Sequence, residues 1–206
     1  MIMLSPNFER AIARFDAVNS EDPNREQGEG TPQPKELLYA RRMTAMLERF
    51  APDAPEAVRL AARCQHIRRW DIPRADYPRT SAGYKEWRTR LQHYHAGVAG
   101  AILREEGYGE DVIARVASLL KKEKLKRDPE SQLLEDVVAL VFLEHYLAGF
   151  VAQHPEYGAA KLSDIVRKTA RKMSPHGRAA VARLTRLPEP LAPVVLRELA
   201  ATGTAA

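Results

Sequence analysis

Residues 81 to 107 read SAGYKEWRTRLQHYHAGVAGAILREEG. Leu91, Val98 and Ile102 recur with His95 on one stripe, the three- and four-residue spacing of a helix face. Ser81 is placed as the N-cap. A strand would alternate instead. No alternation longer than four residues occurs in the chain, and neither Asn-Gly nor Asp-Gly marks a hairpin. This stretch sets the expectation of an all-α fold.

The same period runs outward on both sides. Phe8, Ile12 and Phe15 predict a short first helix. REQGEGTPQPK, residues 25 to 35, reads as a polar loop. ELLYARRMTAMLERF puts Tyr39, Met43, Met46 and Phe50 on one face, and PEAVRLAARCQHI does the same with Val58, Ala61 and Gln65 after a first-turn Pro55. Val112, Val116 and Leu119 mark the next helix. In DPESQLLEDVVALVFLEHYLAGFVAQH, Asp128 caps and Pro129 opens a helix that is apolar on all sides, as suits the centre of a core. SDIVRKTARKM, SPHGRAAVARLTR and EPLAPVVLRELA complete the series. DIPRADYPRTSAG, residues 71 to 83, carries two prolines that break a helix and reads as a loop of the kind that lines sites. The organisation expected is an N-terminal helix and polar loop over 1–34 packing on a main helical domain over 35–200, with a flexible tail over 201–206.

The chain has 206 residues, 45% hydrophobic and 29% charged, enough apolar side chain for a core. Its longest apolar run, VVALVFL at 137 to 143, is far too short to span a bilayer. The acidic N-terminal segment lacks a signal-peptide pattern. The single cysteine, Cys64, excludes an internal disulfide and sits in a helical alanine context that suits a buried, inert thiol. A soluble cytoplasmic protein without membrane contact is expected. The net charge is only +5, so the position of the cations matters more than their sum. They gather in residues 63 to 90, in KKEKLKR at 121 to 127, and in RKTARK at 167 to 172. Phosphate loops, CxxC pairs, HExxH and GxSxG are absent.

Polar groups interrupt three of the apolar stripes. His66 stands at the end of the second main helix. His95 shares a face with Leu91, Val98 and Ile102, and Asp136 shares one with Leu140, Leu143 and Leu147 beside Glu135. A carboxylate among leucines is costly unless it is paired or bound to a metal. Two imidazoles and a carboxylate that converge can hold one divalent metal ion and activate water. Equally, each histidine can be a hydrogen-bonded core residue, and Asp136 can pair with His95 or an arginine.

The order of these segments resembles the HD superfamily of metal-dependent phosphohydrolases over residues 39 to 143. AARCQHIRRW resembles the segment that carries the superfamily's His-Asp pair. YHAGVAGAILREEGYGEDVIARV resembles the helix pair after it, and SQLLEDVVALVFL the stretch with the final aspartate. His95 and Asp136 match by residue type. Tyr39 stands where the first histidine falls, Gln65-His66 where the His-Asp pair falls, and Lys122 where many members have a further histidine. The resemblance implies an HD-like orthogonal bundle of about seven to nine helices. It also implies a metal set of His66, His95 and Asp136, with Gln65, Glu135 and Lys122 as catalytic candidates. More narrowly, FDAVNSEDPN, ELLYARRMT, QHIRRWDIPR, GYKEWR, LEDVVALVFLEHY and RKTARKMS resemble a family of bacterial and fungal proteins catalogued as a domain of unknown function.

An ammonium at Lys122 repels a metal cation and suits a phosphate or carboxylate. Arg68, Arg69, Arg74 and Arg79 are the anion-binding candidates around it, although any one of them also fits a solvated surface. Arg88 and Arg90 fit a solvated helix face. Trp70 and Trp87 fit packing at the loop–helix junction. Asp16, Asn19 and Asp22 fit a capping and turn segment. Three functions follow in order. The first is a metal-dependent hydrolase of a small phosphorylated or nucleotide substrate. The second is a degenerate HD fold that binds a nucleotide or other anion without catalysis. The third is an RNA-binding helical protein using KKEKLKR and RKTARK, placed last because no RNA module is present.

Overall fold

The computed structural model describes residues 4–28 and 30–203. It is all-α apart from one small hairpin, with ten α-helices among the described residues, more than the seven to nine expected. The surplus arises because a π turn over Phe142–Tyr146 divides in two the single helix expected over DPESQLLEDVVALVFLEHYLAGFVAQH. The chain forms two compact units, residues 1–124 and 125–206.

In the first unit, α1 (Phe8–Ser20) packs on α2 (Lys35–Phe50), α3 (Glu56–Arg63) and α4 (Ser81–Glu105), and α5 (Glu110–Lys121) packs on α3 and α4. Its core is Phe15, Met43, Met46, Leu47, Leu60, Ile67, Leu91, Leu103 and Leu119, all at most 2% exposed. Residues 25–34 are not the irregular loop expected. β1 (Arg25–Gln27) pairs antiparallel with β2 (Pro32–Pro34), with Glu26 opposite Gln33. Three-residue strands give no readable period, and the prolines end β2 on both sides. Arg42 reaches Glu26 and fastens the hairpin to α2.

Two helix boundaries differ from expectation. α3 stops at Arg63, so Cys64 to Arg68 form a tight turn, with Arg68 in the left-handed region at φ 52°. His66 therefore lies on that turn and not on the helix. Thr80, not Ser81, caps α4: its hydroxyl accepts from the Gly83 amide at 3.1 Å. Gly83 is required there, because a Cβ would sit 2.4 Å from the Pro78 carbonyl oxygen. The proline-rich loop contains two short 3₁₀ turns, Arg69–Asp71 and Arg74–Asp76.

The second unit holds α6 (Pro129–Val141), a π turn over Phe142–Tyr146, α7 (Leu147–Ala152), α8 (Ala159–Ala170), α9 (Pro175–Leu184) and α10 (Ala192–Gly203). α6 packs on α9, and α10 on α8 and α9. Asp128 caps α6 and Ser174 caps α9, each followed by proline in the first turn as read from the sequence. α6 is buried at Leu134 to Val137 and at Ala139 to Val141, on nearly all sides. Residues 201–203, expected in a flexible tail, close α10; 204–206 lie outside the described residues. No helix among the described residues is long and apolar enough to cross a membrane.

Candidate functional site

The first unit contains a pocket lined by Gln65, His66, Arg69, Arg88, Leu91, Gln92, His95, Leu120 and Lys122. Gln65, Leu91, His95 and Leu120 are buried and form the floor, while the others are partly exposed and form the rim. Three elements supply it. The turn after α3 brings Gln65, His66 and Arg69. One face of α4 brings Arg88, Leu91, Gln92 and His95 at helical spacing. The end of α5 brings Leu120 and Lys122. The cavity measures about 10 Å³, room for one water-sized group at the floor.

His95 is 3% exposed. Its Nδ1 lies 2.7 Å from the Ile67 carbonyl oxygen. A carbonyl only accepts, so Nδ1 carries the proton and Nε2 is left with a lone pair. Nε2 is buried and has no hydrogen-bond partner, and the same is true of Gln65 Oε1. Burial pushes the His95 pKa down to about 4; the bond to Ile67 opposes this and the charges of Arg69 and Arg88 add to it. The ring is thus a neutral acceptor at physiological pH.

His66 is held from two sides. The Tyr39 ring stacks on it at 4.0 Å and 11°, and its Nδ1 lies 3.2 Å from Glu36 Oε2. Burial and the Arg69 charge keep its pKa well below the ordinary histidine value. Glu36 opens α2, with its amide donating to Asp22 Oδ2 at 2.9 Å. Burial pushes the Glu36 carboxyl up to about 7, against the pull of Arg69 and Lys35. Arg69 Nε is 3.8 Å from Glu36 Oε1, and its guanidinium lies 4.6 Å from the Trp87 ring centroid. Trp87 is itself pinned by Nε1–H donating to the Ile72 carbonyl at 2.9 Å. Lys122 ends α5 in the left-handed region at φ 56°, the position glycine usually takes.

The pocket therefore gathers five residues singled out by sequence, Gln65, His66, Arg69, His95 and Lys122. The other candidates have other partners. Arg74 donates to the carbonyls of Tyr77 and Pro78, both at 2.8 Å, and ties its own loop together. Arg68 pairs with Asp71 at 2.7 Å, and Arg79 is exposed on the loop. Glu135 is buried in α6 of the second unit. Asp136, also in α6, accepts from the Ser174 amide at 2.8 Å, the Ser174 hydroxyl at 2.5 Å and Gln132 Nε2 at 3.1 Å. Burial raises its pKa and those hydrogen bonds oppose the rise. Among the described residues no group of three or more His, Cys, Asp or Glu is placed to hold a metal. In the second unit, Arg167 pairs with Glu198 and Lys168 with Asp164.

Five polar residues of this region lie outside the sequence-based site. Arg88 and Gln92 precede His95 by seven and three positions, a spacing that the Leu91–His95 stripe already offered. Glu36 lies three residues before Tyr39 on the same face. Asp22 is 1% exposed and more than a turn residue, since it anchors the start of α2. Asn19 is equally buried; its Oδ1 faces the Arg68 amide at 3.4 Å and its Nδ2 has no partner.

Residues 9–195 match the family model described as Domain of unknown function (DUF4202). The match covers most of the chain, which belongs to that family. No curated protein and no solved structure matches it.

Proposed function

For this member of the family we propose a binding function: the pocket of the first unit holds a small phosphorylated or nucleotide anion without a metal and without turnover. The observation that carries this is the charge arrangement. Arg69, Arg88 and Lys122 surround a pocket whose two histidines are neutral. Such a rim neutralises an anion and opposes a divalent cation. The metal set of the HD-like hydrolase fits less well. His66 and His95 offer imidazole nitrogens, but Asp136 already accepts three hydrogen bonds.

The test is thermal stabilisation by inorganic phosphate, pyrophosphate and a nucleotide panel, with and without chelator. A ligand at a hundred times its Kd stabilises by about 2.7 kcal/mol, which raises the Tm by roughly 5–10 °C in a chain of this size. The rise should survive chelation and vanish in the Arg88→Ala, Lys122→Ala double variant. No shift with any anion, or a shift that this variant keeps, overturns the assignment.

A further inference from the structure

The floor of the pocket is chemically opposite to its rim. The rim is cationic and donates. The floor presents two acceptors, His95 Nε2 and Gln65 Oε1, both buried and both without a partner. The geometry places a proton on His95 Nδ1, which donates a hydrogen bond to the Ile67 carbonyl, and leaves Nε2 facing the floor without a partner. A bare oxyanion pressed against that floor would meet lone pairs with lone pairs. A buried acceptor left unmade is costly. The group that completes the floor must bring a hydrogen, and the group that completes the rim must bring negative charge.

Resting on the anion-binding assignment above, we infer that the pocket selects a phosphoryl anion that still carries a proton, the one hydrogen of its P–OH shared between the floor acceptors His95 Nε2 and Gln65 Oε1 while its charged oxygens meet Arg69, Arg88 and Lys122. The pocket's volume of about 10 Å³ admits one such hydroxyl. The rest of the phosphoryl group lies among the long, partly exposed side chains of the rim, which can adjust around it. The pocket thereby separates phosphate from sulfate, which matches it in shape and charge but has no proton to give at neutral pH. Nonspecific attraction by three cations would not make that distinction.

The experiment is calorimetric titration of chelator-treated protein with inorganic phosphate and with sulfate at matched ionic strength and neutral pH. Phosphate is expected to bind roughly tenfold to a hundredfold tighter, the consequence of one buried acceptor satisfied or left unmade. His95→Phe should bring the two anions together. Gln65→Met, which leaves the bond from His95 to Ile67 in place, should narrow the ratio on a scaffold that needs no refolding of α4. Equal affinities for the two anions in the wild type overturn the inference and leave the anion-binding function standing. A phosphate preference unchanged in both variants also overturns it, as does a preference that appears only with an added divalent metal. Binding of neither anion overturns the inference, and the function falls with it if pyrophosphate and the nucleotide panel also fail to stabilise the protein.

Discussion

His95 in the first unit and Asp136 in the second occupy the same kind of position. Each is a polar residue on an apolar helix stripe, and each is 3% exposed. Their surroundings differ. Asp136 receives three hydrogen bonds and lies at the N-terminus of α9, where the helix dipole favours its charge. His95 makes one hydrogen bond and leaves the opposite nitrogen unpaired in a pocket. Burial alone does not distinguish the two groups; completeness of hydrogen bonding does.

The sharpest way to break this contrast is Asp136→Ala. It strips the Ser174 amide and hydroxyl of their acceptor and should cost about 3 kcal/mol. A Tm lower by roughly 6–12 °C follows, with the phosphate response of the folded protein retained. A variant of normal stability that has lost that response would invert the two roles.

Gly177 sharpens the Asp136 side. A Cβ there would sit 2.5 Å from Asp136 Cγ, so Gly177→Ala should destabilise by about 2 kcal/mol through overpacking. The clash exists only while the carboxylate does. The double variant with Asp136→Ala should therefore cost clearly less than the sum of the singles in urea denaturation. Strict additivity would mean that the two residues do not touch.

Much of this architecture was legible before the structure. Helical periodicity found the main elements, and the Asp128–Pro129 and Ser174–Pro175 signals located two starts, because caps act over three residues and need no tertiary knowledge. The hairpin at 25–34 was not legible, since three-residue strands carry no period. The pocket was half legible: His95, Lys122 and the Gln65–Arg69 turn stood out by residue type, whereas Arg88 looked like any surface arginine on a helix. Asp136 was read as a metal ligand because its partner Ser174 is 38 residues away, and a one-dimensional pattern cannot show a cap supplied across that distance. Arg74 was read as a rim cation for the same reason: only the folded loop shows its guanidinium turned onto its own backbone.

A smaller effect concerns the charge of the first unit. The Glu36 carboxyl is pushed up to about 7 by burial, so the folded chain holds that proton more tightly than the unfolded chain does. Its contribution is therefore favourable at low pH and is lost as pH rises through 7. His66 and His95 act with the opposite sign, because their lowered pKa values destabilise the fold as pH falls through 6.5. Between about pH 6.5 and 8 the loss from Glu36, roughly 0.8 kcal/mol, is offset by a gain of roughly 0.4 kcal/mol from each histidine, so these three together should leave stability nearly flat. Glu36→Gln should remove the opposing loss, so that stability in denaturant titrations rises by roughly 0.8 kcal/mol over this window, and a pH profile unchanged from the wild type would show that Glu36 does not carry the effect.

The smallest effect separates function from stability within one residue. Lys122 holds φ 56° at the end of α5, a conformation that costs a side-chain-bearing residue roughly 1 kcal/mol and glycine almost nothing. Part of the relief is offset by the greater freedom of glycine in the unfolded chain. Lys122→Gly should thus stabilise the protein by about 0.5 kcal/mol while weakening phosphate binding, since one of the three rim cations is gone. A residue whose replacement improves the fold and impairs the pocket is held there by the ligand. If Lys122→Gly instead left phosphate affinity unchanged, the left-handed turn would be only a helix end, and the rim would consist of Arg69 and Arg88.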